Sequence, residues 1–167
     1  MRPYVSMLAL AVAVATTAPA LSQPMGVGLG APQTVEENAR VGPLKKLPKP
    51  VRDWVNDEAA RQAKSPGDLD TLDADMETAL GADLDKGAKR NGMVQPDLVS
   101  ALRYYVIRQA GQLLDDDLEI RRQLAGETPS DDQMLTIEAV TSNRNRIRAL
   151  EEQAMRRLSA KGAAFID

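Results

Sequence analysis

Two long stretches of the chain repeat apolar residues at helical spacing, and only a short segment separates them. In the first, which begins at Pro96 and stops before Gly126, the residues that share one face are Leu98, Leu102, Val106, Leu113, Ile120 and Leu124. In the second, which is predicted to begin at Pro129 with Thr128 as its cap, they are Ile137, Val140, Ile147, Leu150, Ala154 and Leu158. Spacings of three and four residues indicate amphipathic helices, each roughly 45 Å long at about 1.5 Å per residue. Because the connection is short, we expect an antiparallel hairpin in which 96–125 packs against 129–160.

Helix start signals predict two shorter helices before the hairpin. Pro50 suits a first helical position, and Val51, Trp54 and Val55 then fall on one face. The pair Ser65-Pro66 repeats the signal, and an apolar stripe follows at Leu69, Leu72, Met76, Leu80 and Leu84. No segment shows strand-like alternation of useful length. The sequence therefore predicts an all-α fold, a small helical bundle built on the hairpin over residues 50–162, with a C-terminal tail at 163–167.

The second predicted helix carries an unusual density of acids. Residues 68–85, DLDTLDADMETALGADLD, hold seven carboxylates in eighteen positions, but no register gives the glycine and the terminal glutamate that a calcium-binding EF loop requires. As a helix, the same segment turns most of its acids toward water. Asp70, Asp73 and Glu77 fall at i, i+3 and i+7, which makes a carboxylate ladder that suits a basic partner surface, or a divalent ion held only weakly through water because no backbone cage surrounds it. We predict partner binding here and no metal site.

The N-terminal region has the features of an export signal. Met1-Arg2 precedes the apolar run YVSMLALAVAVA and the small residues TTAPALSQ, so residues 1–22 are predicted to be a signal peptide cleaved after Ala20 or Ser22. An uncleaved membrane anchor is the alternative interpretation. Residues 23–49 are rich in Gly and Pro and are predicted to be a flexible linker. These features predict a periplasmic or secreted protein that does not contact the membrane once the signal is removed.

Composition excludes several chemistries. The chain has no Cys and no His, which removes thiol nucleophiles, Ser-His-Asp triads and histidine-ligated zinc or haem. Its formal charge of −3 gives no basic footprint for nucleic acid. We predict no cofactor and no catalytic residue, although a small all-α enzyme stays open as an alternative.

Four polar residues interrupt the apolar seams of the hairpin. With the turn centred near residue 127.5, Gln109 comes level with Arg146 and within one turn of Asn143 and Arg144. Glu151 lies seven residues after Arg144 and comes level with Tyr104. One interpretation is a polar layer that fixes the register of the two helices. The other is a pocket for a small anion, in which Arg144 binds a carboxylate or phosphate. Gln109 and Asn143 would donate hydrogen bonds to the anion, and Glu151 would orient the arginine or act as a base.

Three functions are consistent with these features. The first is an exported, non-catalytic bundle that binds another envelope protein, as a chaperone, adaptor or accessory factor does. The second is a small-anion-binding protein or small enzyme that uses the polar pocket. The third is a structural coiled-coil oligomer, such as a homodimer, formed through the hairpin.

Overall fold

The computed structural model describes residues 43–166, which form five α-helices after a single 3-10 turn. The turn is Pro43–Lys46, and the helices are α1 (Lys49–Lys64), α2 (Leu69–Arg90), α3 (Gln95–Ala125), α4 (Asp131–Arg156) and α5 (Ala160–Ile166). No strand occurs within residues 43–166. The all-α bundle is therefore confirmed. The predicted signal peptide, and the predicted linker as far as residue 42, lie outside the described residues.

Helix α3 is the centre of the bundle, because each of the other four helices packs against it. Its buried residues face several directions, and they include Leu98, Leu102, Ile107, Ala110 and Leu114. A helix that is buried in several directions needs neighbours on more than one side, which the structure supplies with α1, α2, α4 and α5.

The hairpin of α3 and α4 is antiparallel, but its register differs from the prediction by about one helical turn. Asp115 bonds to Arg144, and a Cβ atom at Gly111 would meet the Ile147 side chain at 3.5 Å. The predicted start at Pro129 is wrong because Ser130 caps α4: its hydroxyl accepts from the Gln133 amide, and the Gln133 side chain accepts from the Ser130 amide. Because of this reciprocal capping box, α4 begins later in the chain than predicted. The residues of α4 that lie level with a given residue of α3 are shifted accordingly.

Both ends of the bundle extend beyond the predicted limits of 50 and 162. Leu44 and Leu47 are buried in the core, so the packed part of the chain begins before Pro50. At the other end, the predicted second rod of the hairpin stops at Arg156, and α5 continues through most of the predicted tail. A new helix begins there because the Ser159 hydroxyl accepts from the Gly162 amide at 2.9 Å.

A glycine permits the close approach of α5 to α3. A Cβ atom at Gly162 would lie 2.7 Å from the Ser100 hydroxyl oxygen and 3.1 Å from the Asp97 carbonyl oxygen. Both distances are shorter than ordinary carbon–oxygen contacts. The two helices are therefore in near-backbone contact at this point, and only glycine fits there without a shift.

The far end of the hairpin is uncovered, contrary to the expected seam. Leu113, Ile120 and Leu124 lie within about 40° of one another on the α3 surface, yet Leu124 is 77% exposed and Ile120 is 55% exposed. None of the first sixteen residues of α4, 131–146, is buried. We name residues 112–143, the distal part of α3 and α4 with their turn, the hairpin arm.

Within residues 43–166, no helix combines the length and the apolar character that crossing a bilayer requires.

Candidate functional site

The predicted polar residues of the hairpin make separate contacts and do not converge. Gln109 donates to the Asn56 side chain of α1 at 3.2 Å. Asn143 donates to the carbonyl oxygens of Ala63 and Lys64, at 3.4 and 3.0 Å. These two carbonyls lie in the last turn of α1 and lack helical partners, so Asn143 ties the end of α1 to α4.

Arg144 joins the two helices of the hairpin. Its Nε and one terminal nitrogen donate to the two carboxylate oxygens of Asp115, at 2.7 and 2.9 Å. This paired hydrogen bond raises the pKa of Arg144, and Glu151 adds a smaller favourable charge interaction. The guanidinium lies against Gly111, where a Cβ atom would come 3.4 Å from its other terminal nitrogen. These contacts fit the polar layer that fixes register, and the predicted anion binding by Gln109, Asn143, Arg144 and Glu151 stays a prediction.

Two members of the acidic ladder already have basic partners in the same chain. Asp73 pairs with Arg103 of α3 at 2.5 Å, and Asp70 pairs with Arg157 at 2.6 Å. The third member, Glu77, makes no side-chain hydrogen bond or ion pair with any residue of 43–166. The basic surface that the ladder predicts is thus supplied, at least in part, by α3 and by the end of α4.

The pair of Asp73 and Arg103 is largely withdrawn from water. The Arg103 side chain is only 8% exposed, and it also donates to the carbonyl oxygen of Arg157 at 3.0 Å. Burial raises the pKa of the Asp73 carboxyl above its ordinary 3.8, although the charge of Arg103 and its hydrogen bond oppose the rise. Within the described part of the chain, Asp73 Oδ1 and Arg103 Nε are buried without a hydrogen-bond partner.

A polar cleft of about 550 Å³ opens beside this pair. It lies between α2, the first turns of α3 and the segment that joins α4 to α5. Its lining residues are Asp73, Glu77, Gln95, Pro96, Asp97, Val99, Ser100, Arg103, Arg157 and Ser159. The sequence interpretation missed Ser100, Arg103, Arg157 and Ser159. A signal existed in the run LVSALRYYV, where Ser100 and Arg103 interrupt an otherwise apolar and aromatic segment and stand three positions apart.

A second, smaller groove of about 230 Å³ lies on the hairpin arm. It is lined by Arg121, Leu124, Asp132, Gln133, Thr136 and Ile137. One of its lining residues, Leu124, also belongs to the exposed row on α3 that contains Leu113 and Ile120. Its walls come from both helices of the arm, so the groove exists only because the hairpin forms.

The hairpin arm is strongly acidic. Its 32 residues contain eight carboxylates (Asp115, Asp116, Asp117, Glu119, Glu127, Asp131, Asp132 and Glu138) and two arginines (Arg121 and Arg122), a formal charge of −6. The whole chain carries −3. At least two of the carboxylates are compensated, because Asp117 pairs with Arg121 and Asp115 pairs with Arg144. The net negative charge of the arm is therefore larger than that of the whole chain, and it lies around the exposed leucines.

Among residues 43–166, no group of three or more acidic side chains lies close enough together to hold an ion. Searches against protein-family models, curated protein sequences and solved structures found no match to this chain.

Proposed function

We propose that this chain is an exported, non-catalytic protein that binds another protein of the cell envelope through its hairpin arm, and that the bound segment is a basic amphipathic helix. The observation that carries the proposal is the row of exposed aliphatic side chains, Leu113, Ile120 and Leu124, on an acidic two-helix arm. The export signal predicted at residues 1–22 supports the location.

The shape of the arm favours a helical partner. Two antiparallel helices leave a groove between them, and here the groove is bordered by Leu124 and Ile137. A third amphipathic helix that lies along such a groove buries its apolar face by the same packing that joins helices in a bundle. Each leucine or isoleucine that moves from water into that contact stabilises the complex by about 1.5–3 kcal/mol when fully buried.

The charge of the arm favours a basic partner. Acids at 115–119 and 131–132 surround the apolar row, so a lysine- or arginine-rich helix would find complementary charge beside its leucines. A second copy of this chain, presenting the same arm, would bring two surfaces of charge −6 together. Like charges at that density oppose arm-to-arm pairing, which is why a different partner is preferred.

A designed peptide tests this proposal. The probe is a helical peptide of leucine and lysine with one apolar face, and its matched control has glutamate at every lysine position. We expect the lysine peptide to bind and the glutamate peptide not to bind. Added salt should weaken the binding because the complementary charges are exposed.

Substitutions on the arm locate the contact. The double variant Ile120→Gln, Leu124→Gln should weaken binding of the lysine peptide at least about tenfold, because each lost apolar contact at an interface costs about 1 kcal/mol or more. Met155→Gln is the matched control, since Met155 is similarly exposed at 56% but lies outside the arm. Equal weakening by both variants, or equal binding of both peptides, contradicts the proposal.

Sedimentation distinguishes the coiled-coil oligomer from the partner-binding protein. We expect the full chain to sediment as a monomer at micromolar concentration. A concentration-dependent dimer that dissociates in the Ile120→Gln, Leu124→Gln variant would show that the arm pairs with a second copy, and it would overturn the proposal of a basic partner. Photo-crosslinking from position 124 in cells, with position 155 as control, would then identify the natural partner.

A further inference from the structure

The polar cleft beside α5 offers unneutralised charge of one sign together with unused hydrogen-bonding atoms. Arg103 is paired with Asp73, and Arg157 is paired with Asp70. Glu77 of α2 and Asp97 of α3 line the same cleft, and neither side chain makes a hydrogen bond or ion pair within residues 43–166. The unpaired charge in the cleft is therefore that of two carboxylates, while Arg157 shares its charge with a single acid, Asp70, that is itself 82% exposed.

The buried wall of the cleft is incompletely bonded. Arg103 Nε, a donor, and Asp73 Oδ1, an acceptor, have no partner among the residues described, although the Arg103 side chain is more than nine-tenths buried. A buried polar atom without a partner costs about 1–3 kcal/mol, so such atoms are normally satisfied by water or by a ligand. Two of the residues that line the cleft, Asp73 and Arg103, thus retain one unused acceptor and one unused donor in its wall.

The cleft also has a second guanidinium that can bind an anionic group, whereas the Ser100 hydroxyl is committed because it donates to the Asp97 carbonyl oxygen at 2.8 Å. Ser100 and Ser159 bond to one another at 3.2 Å at its edge. Arg157 uses one terminal nitrogen for Asp70 and its side chain is about half exposed, which leaves its other N–H groups accessible. A carboxylate that entered the cleft would find a planar donor group of the kind that binds carboxylates well.

We propose that this cleft binds a small zwitterion of the amino-acid class, whose ammonium group pairs with Glu77 and Asp97 and whose carboxylate is bound by Arg157. The volume of about 550 Å³ lies within the range of small-molecule sites and exceeds that of a single amino acid. The residues come from α2, α3 and the segment between α4 and α5, so the ligand would hold three parts of the fold together. The site is separate from the hairpin arm and does not depend on the function proposed for the arm.

Binding is tested with a series of unbranched ω-amino acids, from glycine to 6-aminohexanoate, titrated into the full mature chain. The series varies the separation of the two charges, and butylamine and butanoate are the single-charge controls. Backbone amide NMR shifts report both affinity and location. We expect at least one member of the series to bind in about the millimolar range, with shifts at Ser100, Ser159 and Gly162 and none at Leu124.

Substitution of the free carboxylates identifies the site. Glu77→Gln and Asp97→Asn should each weaken binding at least about tenfold, because each removes one charged partner of the ammonium group. Asp85→Asn is the matched control, since Asp85 is an exposed acid of α2 that does not line the cleft. Thermal unfolding of each variant confirms that it is folded.

Three results would overturn the proposal. Butylamine that binds as tightly as the amino acids would show a site for cations alone. Butanoate that binds as tightly would show a site for anions alone. The absence of any saturable shift that weakens in the Glu77→Gln or Asp97→Asn variant would show that the cleft does not bind the amino acids of the series.

Discussion

The ion pair between Arg103 and Asp73 gives the sharpest prediction about stability. Arg103 is replaced by methionine, which keeps the long apolar stem in its buried position and removes the charge. The substitution leaves the Asp73 carboxylate without its partner, and it leaves the carbonyl oxygen of Arg157 without a donor. Both losses lower the free energy of unfolding.

The magnitude follows from burial. Loss of one member of a fully buried ion pair costs about 3–5 kcal/mol. The Asp73 side chain is still 26% exposed and borders the cleft, so water reaches part of it. We therefore expect a loss at the lower end, about 3 kcal/mol at neutral pH, of which about 1 kcal/mol comes from the orphaned carbonyl.

The free energy of unfolding that Arg103→Met loses depends on pH, and the loss is expected to grow as the pH rises. In the native chain the pKa of Asp73 is raised above 3.8 by burial, so its contribution to stability is greatest below 3.8 and falls as pH rises through the folded-state value. Without Arg103, nothing of comparable strength opposes the effect of burial, and the pKa of Asp73 rises further. The deficit of Arg103→Met should therefore be small below pH 3.8 and should grow as the pH increases.

Urea unfolding, followed by the fluorescence of Trp54, the single tryptophan, measures both quantities. The matched variant is Arg103→Met with Asp73→Leu, which removes both charges and should restore stability to within about 1 kcal/mol of the native chain. The reasoning is refuted if Arg103→Met costs the same in acid and at neutral pH, or if the double variant is no more stable than the single one.

Three further predictions concern packing and backbone geometry. Ile147→Ala should lower the free energy of unfolding by about 2–4 kcal/mol, because Ile147 is fully buried between the hairpin helices; Met155→Ala, at an exposed position of the same helix, should change it by less than about 0.5 kcal/mol. Gly162→Ala should push α5 away from Ser100 and speed amide hydrogen exchange throughout α5, and unchanged exchange would contradict the close contact. Gly81→Ala should lower the free energy of unfolding in urea by about 1–2 kcal/mol, because Gly81 has φ +35° and kinks α2. If the helix were regular at this position, alanine would instead raise the free energy of unfolding by about 1 kcal/mol.

The helices themselves were predictable because their signals are local. Pro50 and Pro96 each lie within the first turn of a helix, and Gly126 ends α3 in a conformation with positive φ. Such signals act over a few residues through φ restriction and through the unbonded groups at helix ends. The turn between α3 and α4 was placed less well, since Thr128 and Ser130 are both acceptable caps and only the bond partner Gln133 distinguishes them.

The binding regions were less predictable because they depend on which helices cover one another. The acidic ladder was identified, but its partners Arg103 and Arg157 lie 30 and 87 residues away from Asp73 and Asp70, respectively. Helical periodicity also assigned Ile120 and Leu124 to a buried seam. Periodicity gives the direction of a side chain around its own helix, and it carries no information on whether another helix lies in that direction.

The sequence by itself determined that this chain is helical, where most of its helices begin and end, and that the last two long helices return on one another. Tertiary structure alone decided the register of the hairpin, the pairing of Arg103 with Asp73, and the exposure of the arm. The physical reason is range: capping and periodicity act within a few residues, whereas burial and ion pairing depend on where distant segments stop. Because α1 ends at Lys64, a stripe of leucines that is core at one end of α3 is open surface at the other.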